Sequence, residues 1–183
     1  MLFRSNANIA QNDGGLYAQY YEGYSAPSLI WLGWVKYASA AGGNWSSDSG
    51  TWVTASGGST VTTHPIVGDT VYLDANSGNV TVDTNSAAMT LDLTGYRNTL
   101  AIGTKDLIIS GNSTITTSIC QVATVTIGAS DNIGWSTTDM TIGIRGVVTC
   151  SGNSKITVSG SWSSSAGTFT RSTSTVTFNA TTT

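Results

Sequence analysis

The feature that most constrains this chain is the alternation of apolar and polar residues in short runs across residues 68–115. Val80-Thr81-Val82 and Leu91-Asp92-Leu93 show the pattern, and Ser, Gly, Asn and Asp separate one run from the next. Apolar residues at every second position lie on one side of an extended chain, so each run predicts a strand with one buried face. We therefore predict an all-β chain of short, half-buried strands.

Internal repeats indicate that these strands form a stack. Ser110-Gly111-Asn112 returns as Ser151-Gly152-Asn153, and Ser77-Gly78-Asn79 is a looser third copy. Apolar anchors also recur at intervals of roughly 16 to 21 residues, near the short end of known repeat periods. The anchors are Leu73, Leu93, Ile109, Ile127, Val148 and Phe169. One coil of this length cannot bury its inward face alone, so we predict a parallel β-solenoid of about five or six coils over residues 41–183, with a β-sandwich as the alternative.

A set of spaced motifs precedes and opens the repeats. Asn44-Trp45 and Thr51-Trp52 are followed by Pro65-Ile66-Val67-Gly68-Asp69-Thr70-Val71 and then by Val80-Thr81-Val82-Asp83. This order resembles the start of phage and bacterial surface β-helix proteins, including the module called G8, over about residues 40–110. The resemblance implies a right-handed parallel β-helix. It implies no activity, because the module occurs in proteins of unrelated function.

Residues 1–40 differ in composition and pattern from the rest of the chain and are predicted to be an irregular, aromatic-rich leader. Tyrosines cluster between positions 17 and 24, and Trp31 and Trp34 follow. Leu2-Phe3-Arg4-Ser5 resembles the translation of a sequencing-adapter end, so our hypothesis is that residues 1–5 are artefactual and the gene is a metagenomic fragment. The strong strand pattern near Phe178 also leads us to expect that the solenoid is truncated at its C-terminus.

Composition excludes several classes of partner. The formal net charge is −3 and only 9% of residues are charged, without a cluster of Lys and Arg, so binding to nucleic acid is not expected. The longest apolar run, residues 28–35, is too short to span a bilayer. Cys120 and Cys150 lie in strand-like contexts and are predicted to be small buried hydrophobes, with a disulfide as the alternative if the strands bring them together.

Few residues suggest chemistry, and we predict no catalytic, cofactor-binding or metal-binding residues and no cofactor. His64 has no accompanying nucleophile motif, which favours a solvated or capping histidine. Asp74, Asp83 and Asp92 recur every nine residues, an arrangement open to a metal or acid–base interpretation. Their positions beside turns favour a structural role, since Asp commonly bonds nearby backbone amides there.

The best ligand-binding candidates are Trp135, Asp131 and Asp139, in a polar segment that interrupts the repeat. An aromatic ring in a polar loop can stack on a sugar. The alternative is that the loop folds back and Trp135 covers the core.

Three functions follow from these observations. The favoured prediction is a non-enzymatic structural or adhesion module of a phage fibre, virion surface or bacterial adhesin, located on the virion or outside the cell. Its expected partners are further copies of itself (a trimer being one arrangement), a longer parent protein, and cell-surface glycans. The second is a fragment of a carbohydrate-active β-helix enzyme, either a polysaccharide lyase or a glycoside hydrolase. Ice binding is third, prompted by Thr-x-Thr pairs such as Thr124-Val125-Thr126, but their irregular spacing makes it the least favoured.

Overall fold

The computed structural model describes residues 16–19, 28–31, 33–117, 122–128 and 134–179. Residues 1–5, Cys120 and Asp131 lie outside these ranges, so the predictions made for them stay predictions. The regular elements of the described residues are all strands. This part of the chain therefore contains no helix that could cross a membrane. The strands are β1 (Leu16–Gln19), β2 (Ser28–Trp31), β3 (Val35–Ala38), β4 (Gly43–Asn44), β5 (Trp52–Val53), β6 (Thr70–Tyr72), β7 (Val80–Val82), β8 (Ser86–Ala88), β9 (Thr90–Asp92), β10 (Thr99–Ile102), β11 (Leu107–Ile109), β12 (Ser113–Ile115), β13 (Ala123–Ile127), β14 (Gly134–Thr137), β15 (Met140–Ile142), β16 (Gly146–Cys150), β17 (Lys155–Val158), β18 (Trp162–Ser163), β19 (Thr168–Thr170) and β20 (Thr175–Phe178).

Three sheets run along the stack, and successive strands of the chain visit them in turn. Sheet 1 has the order β5-β3-β6-β9-β12-β15-β18, sheet 2 the order β4-β7-β10-β13-β16-β19, and sheet 3 the order β8-β11-β14-β17-β20. From β6 onward every three consecutive strands therefore complete one coil, which gives five coils. A separate antiparallel pair is formed by β1 and β2.

Neighbouring coils pair in parallel, which confirms the predicted β-solenoid. Thr70 is opposite Thr90 in sheet 1, and Val80 is opposite Leu100 in sheet 2, in each case one coil later. A β-sandwich is excluded, because its strands pair antiparallel with their sequence neighbours. The handedness and the boundary between a leader and the solenoid at residue 40 stay predictions.

The core is a column of inward side chains stacked coil upon coil. In sheet 2, Val82, Ile102, Ile127 and Cys150 occupy one register column and are all at least 98% buried. Several strands alternate buried and partly exposed residues, as in β13 and β16. Cys150 is a free thiol at a position otherwise held by branched aliphatic residues. Its role is therefore that of a small hydrophobe.

The N-terminal end of the column is covered by two tryptophans. The rings of Trp45 and Trp52 meet edge to face with centroids 5.0 Å apart, and both residues are fully buried. The Nε1 of Trp52 donates a hydrogen bond of 2.7 Å to the carbonyl oxygen of Trp45. In sheet 1, β5 pairs antiparallel with β3, so that edge of the stack is covered as well.

Candidate functional site

A shallow groove lies on the outer surface of sheet 3. It has a volume of about 210 Å³ and crosses β11, β14 and β17 near their N-terminal ends. Its outer lining includes Asp106, Ile108, Ser136, Lys155 and Thr157. The strand backbones carry these side chains outward because Leu107 and Ile156, their neighbours in sequence, point into the core.

A glycine creates the depression. Gly134 lies opposite Lys155 in the parallel register, so this outward position has no side chain. A Cβ atom there would meet the carbonyl oxygen of Lys155 at 1.9 Å, which is far inside van der Waals contact. The backbone N–H of Gly134 instead donates to Oδ1 of Asp106 at 3.1 Å. Close packing of the two coils therefore excludes a larger residue and leaves the groove open.

The groove carries both signs of charge. Among the described residues the Lys155 ammonium has no hydrogen-bond or ion-pair partner, and the Asp106 carboxylate has one oxygen bonded to Gly134. The volume is below the roughly 300–1,000 Å³ of pockets that enclose a small molecule. The site is thus suited to touching one polar unit, such as a sugar ring, at the surface. The lining includes one carboxylate, whereas glycosidases use two.

The predicted ligand residues are distributed between this groove and the adjacent corner. Trp135 lines the groove but is only 1% exposed, so its ring packs in the core and offers no exposed stacking surface. Asp139 lies at the turn before β15, where its Oδ1 accepts a hydrogen bond of 2.6 Å from the N–H of Ser161 in the next coil. Because Asp131 lies outside the described residues, ligand binding by this segment stays a prediction.

Two of the three regularly spaced aspartates, Asp74 and Asp92, act as turn residues, whereas Asp83 holds a residue distant in sequence. Oδ1 of Asp74 accepts the N–H of Asn76 at 2.8 Å, and Oδ1 of Asp92 accepts the N–H of Thr94 at the same distance. The Asp83 carboxylate accepts both the N–H and the hydroxyl of Ser46, at 3.0 and 2.6 Å. No cluster of three or more metal-ligating side chains forms within the described ranges.

His64 forms a close pair with an aspartate that sequence reasoning did not connect to it. Its Nδ1 lies 2.6 Å from Oδ1 of Asp48, and its backbone N–H donates to the same oxygen at 2.8 Å. These hydrogen bonds hold the pKa of the Asp48 carboxyl below its usual value. Both side chains are exposed. In the described part of the chain no serine or cysteine hydrogen-bonds to His64, so the pair fastens two loops and does not form a triad there.

A buried lysine is the other feature that the sequence pattern missed. The Nζ of Lys36 donates to the hydroxyls of Thr62 and Thr63 at 2.8 and 3.1 Å and lies 5.5 Å from the ring centroid of Trp34. Desolvation lowers its pKa, although the charge of Asp69 acts in the opposite direction. Lys36 occupies the inward-facing side of β3, which precedes the first coil, so it joins the covering loop to the stack.

Comparison with protein-family models, with curated proteins and with solved structures finds no match for this chain. The likeness of residues 40–110 to the G8 module thus rests on the motifs in the sequence alone. The structure itself establishes a parallel β-solenoid.

Proposed function

We propose that the chain is a non-enzymatic structural or adhesion module of a phage fibre, a virion surface or a bacterial surface adhesin, and that it assembles through its last coil. The observation that carries the proposal is the difference between the two ends of the stack. A covered end and an end with unpaired strand edges are what a module needs if it is to join a partner through one end only.

The covered end opposes further stacking. Trp45 and Trp52 fill the end of the core, and Lys36 with its two threonine partners closes the side of sheet 1. A new coil placed there would displace these buried groups.

The opposite end favours stacking. Trp162 packs edge to face against Phe169 and Phe178, with centroids 5.1 and 6.1 Å apart. Phe178 remains 57% exposed, and Trp162, Phe169 and Val176 are only partly buried. Within the described residues, β18, β19 and β20 each pair with a strand on one side only. Unpaired strand edges beside exposed aromatic rings form a surface that another coil can complete.

A second copy of the chain is the partner we propose for this end. Two copies can meet last coil to last coil around a two-fold axis, which makes the same surface contact itself. The groove with Asp106 and Lys155 lies on the outer face of sheet 3, across the second to fourth coils, and is available for contact with a polar glycan unit.

Light scattering coupled to gel filtration tests the assembly. We expect the purified chain to show a concentration-dependent increase in mass, and Phe178→Ser to shift it to the monomer. Ile144→Ser is the matched control, because Ile144 is similarly exposed, at 60%, but lies at a corner of the fourth coil. A monomer at every concentration contradicts assembly through the last coil, and release of sugars from polysaccharides by the pure monomer contradicts the non-enzymatic role.

A further inference from the structure

The outer face of sheet 2 is a two-column array of threonines. Register pairing defines nine outward positions in β7, β10, β13, β16 and β19, and seven of them are threonine. One column is Thr99, Thr124, Val147 and Thr168, and the other is Thr81, Ala101, Thr126, Thr149 and Thr170. The two exceptions are apolar, so the face has no charged side chain at these positions.

The other two sheets do not share this character. At the matching outward positions sheet 3 has Asp106, Ile108 and Lys155. Sheet 1 has Tyr72 and Asp92 beside its threonines. The array is therefore a property of one face and not of a threonine-rich surface in general.

The hydroxyls of this array are available to water. Among the described residues none of the seven threonine Oγ1 atoms has a hydrogen-bond partner in the protein. Threonines at the corners behave differently, since Thr138 donates its hydroxyl to the carbonyl oxygen of Ser110 at 2.8 Å. β-Branched side chains are also restricted at χ1, so their hydroxyl and methyl groups are held in a regular arrangement.

The spacing of the array is two-dimensional. Threonines two residues apart on a strand are about 6.6 Å apart, and in-register neighbours on adjacent strands about 4.8 Å apart. The spacing between strands is close to an oxygen repeat in hexagonal ice. An ice surface is uncharged, as this face is, and water layers bridge hydroxyl groups without loss of hydrogen bonding.

We propose that sheet 2 is an ice-binding face, on which the threonine columns order a layer of water that merges with the ice lattice. The inference is independent of assembly through the last coil. The pairs Thr114/Thr116 and Thr175/Thr177 do not contribute, because they belong to sheets 1 and 3. Thr124/Thr126 and Thr168/Thr170 are the Thr-x-Thr pairs that lie on this face.

Thermal hysteresis and the uptake of the fluorescently labelled chain into a growing ice crystal test the proposal. Thr126→Tyr places a bulky ring in the middle of the array. Thr114→Tyr is the matched control, because Thr114 is an outward, partly exposed residue of the same coil on sheet 1. Thr149→Lys is a second array variant that introduces a charge. Melting curves from circular dichroism establish that all variants fold.

We expect the native chain and Thr114→Tyr to show hysteresis and to enter ice, and both array variants to lose these activities while remaining folded. Absence of hysteresis and ice uptake in the native chain overturns the proposal. So does activity retained by folded Thr126→Tyr. If Thr126→Tyr changes the mass of the particle in solution and leaves ice uptake unchanged, sheet 2 is instead an interface between proteins, which also overturns it.

Discussion

The hydroxyls of Ser113 and Thr137 lie 2.9 Å apart inside the corner that joins sheets 3 and 1. Both residues are almost fully buried. The Thr137 hydroxyl is also within hydrogen-bond distance of the carbonyl oxygens of Gly111 and Asp139, at 3.0 and 2.9 Å. Because Thr137 has a single proton and carbonyls only accept, Ser113 donates to Thr137, and Thr137 donates to the turn. The pair thus links the corners of two successive coils through side-chain hydroxyls.

Replacement of this pair tests its contribution. We expect Thr137→Val to lower the free energy of unfolding by about 1–3 kcal/mol, because it leaves the buried Ser113 hydroxyl without its partner. The combined Ser113→Ala/Thr137→Val variant is expected to lose less than the sum of the single losses, as residues in one network are coupled. Urea unfolding measures both. Thr157→Val, at an outward position, is the control, and a loss as large as that of Thr137→Val contradicts the interpretation.

The tryptophan cover is expected to be a major source of stability. Trp52→Ala removes a fully buried ring and the bond from Nε1 to the carbonyl of Trp45, so we expect a loss of about 3–5 kcal/mol. Trp52→Phe keeps an aromatic ring and should lose less. Val67→Ala, at a side chain 67% exposed, is the control and should stay within about 0.5 kcal/mol of the native chain. Equal stability of Trp52→Ala and the native chain in urea unfolding would refute the role of the cover.

Gly134 is predicted to be required by close packing. Gly134→Ala drives a Cβ atom against the Lys155 carbonyl, so we expect destabilisation by about 1–3 kcal/mol. Gly103→Ala is a matched control, since the nearest heavy atom to a Cβ there is 3.9 Å away. Thermal unfolding of the two variants measures the difference. If both melt at the same temperature, the contact at Gly134 is relieved by a shift of the coil.

The Asp83–Ser46 contact predicts a pH-dependent contribution to stability. Desolvation acts to raise the pKa of Asp83, but the hydrogen bonds from the Ser46 hydroxyl and N–H outweigh it and leave this pKa below its usual value. A carboxyl with a depressed pKa stabilises the fold above its unfolded pKa of about 3.9, and this contribution is lost as the pH falls through the folded pKa.

Melting temperatures across pH test this contribution. Ser46→Ala should melt below the native chain near neutral pH, and the gap should close in acid. Ser47→Ala is the control, because that exposed hydroxyl contacts only Ser49. A gap for Ser46→Ala that is constant across pH would show that its effect does not depend on the Asp83 charge.

Period-two alternation correctly predicted which side chains face the core. Val80, Leu100 and Val125 point inward as expected and stack in one register column. The prediction that Asp74 and Asp92 have a structural role also agrees with the hydrogen bonds that they accept in turns. These predictions succeed because strand geometry and turn chemistry are local properties.

The register between coils was not predictable in the same way. Thr70 pairs 20 residues ahead with Thr90, whereas Leu107 pairs 28 residues ahead with Trp135. Loops inserted at corners change the length of each coil without changing the sheets. The sequence period was therefore irregular even though the stack is regular. For this reason the threonine pairs looked scattered, although threonines from five strands line up on sheet 2.

The sequence by itself determined the strand type, the inward and outward sides of each strand, the turn residues and a fold of about five coils. Only the tertiary structure decided which outward residues become neighbours, and so produced the groove between Asp106 and Lys155, the His64–Asp48 pair and the threonine columns. The physical reason is that alternation is set within a strand by the geometry of the backbone. Neighbours across coils are set by hydrogen bonds between strands 20 to 28 residues apart in sequence. These separations vary because the corner loops differ in length.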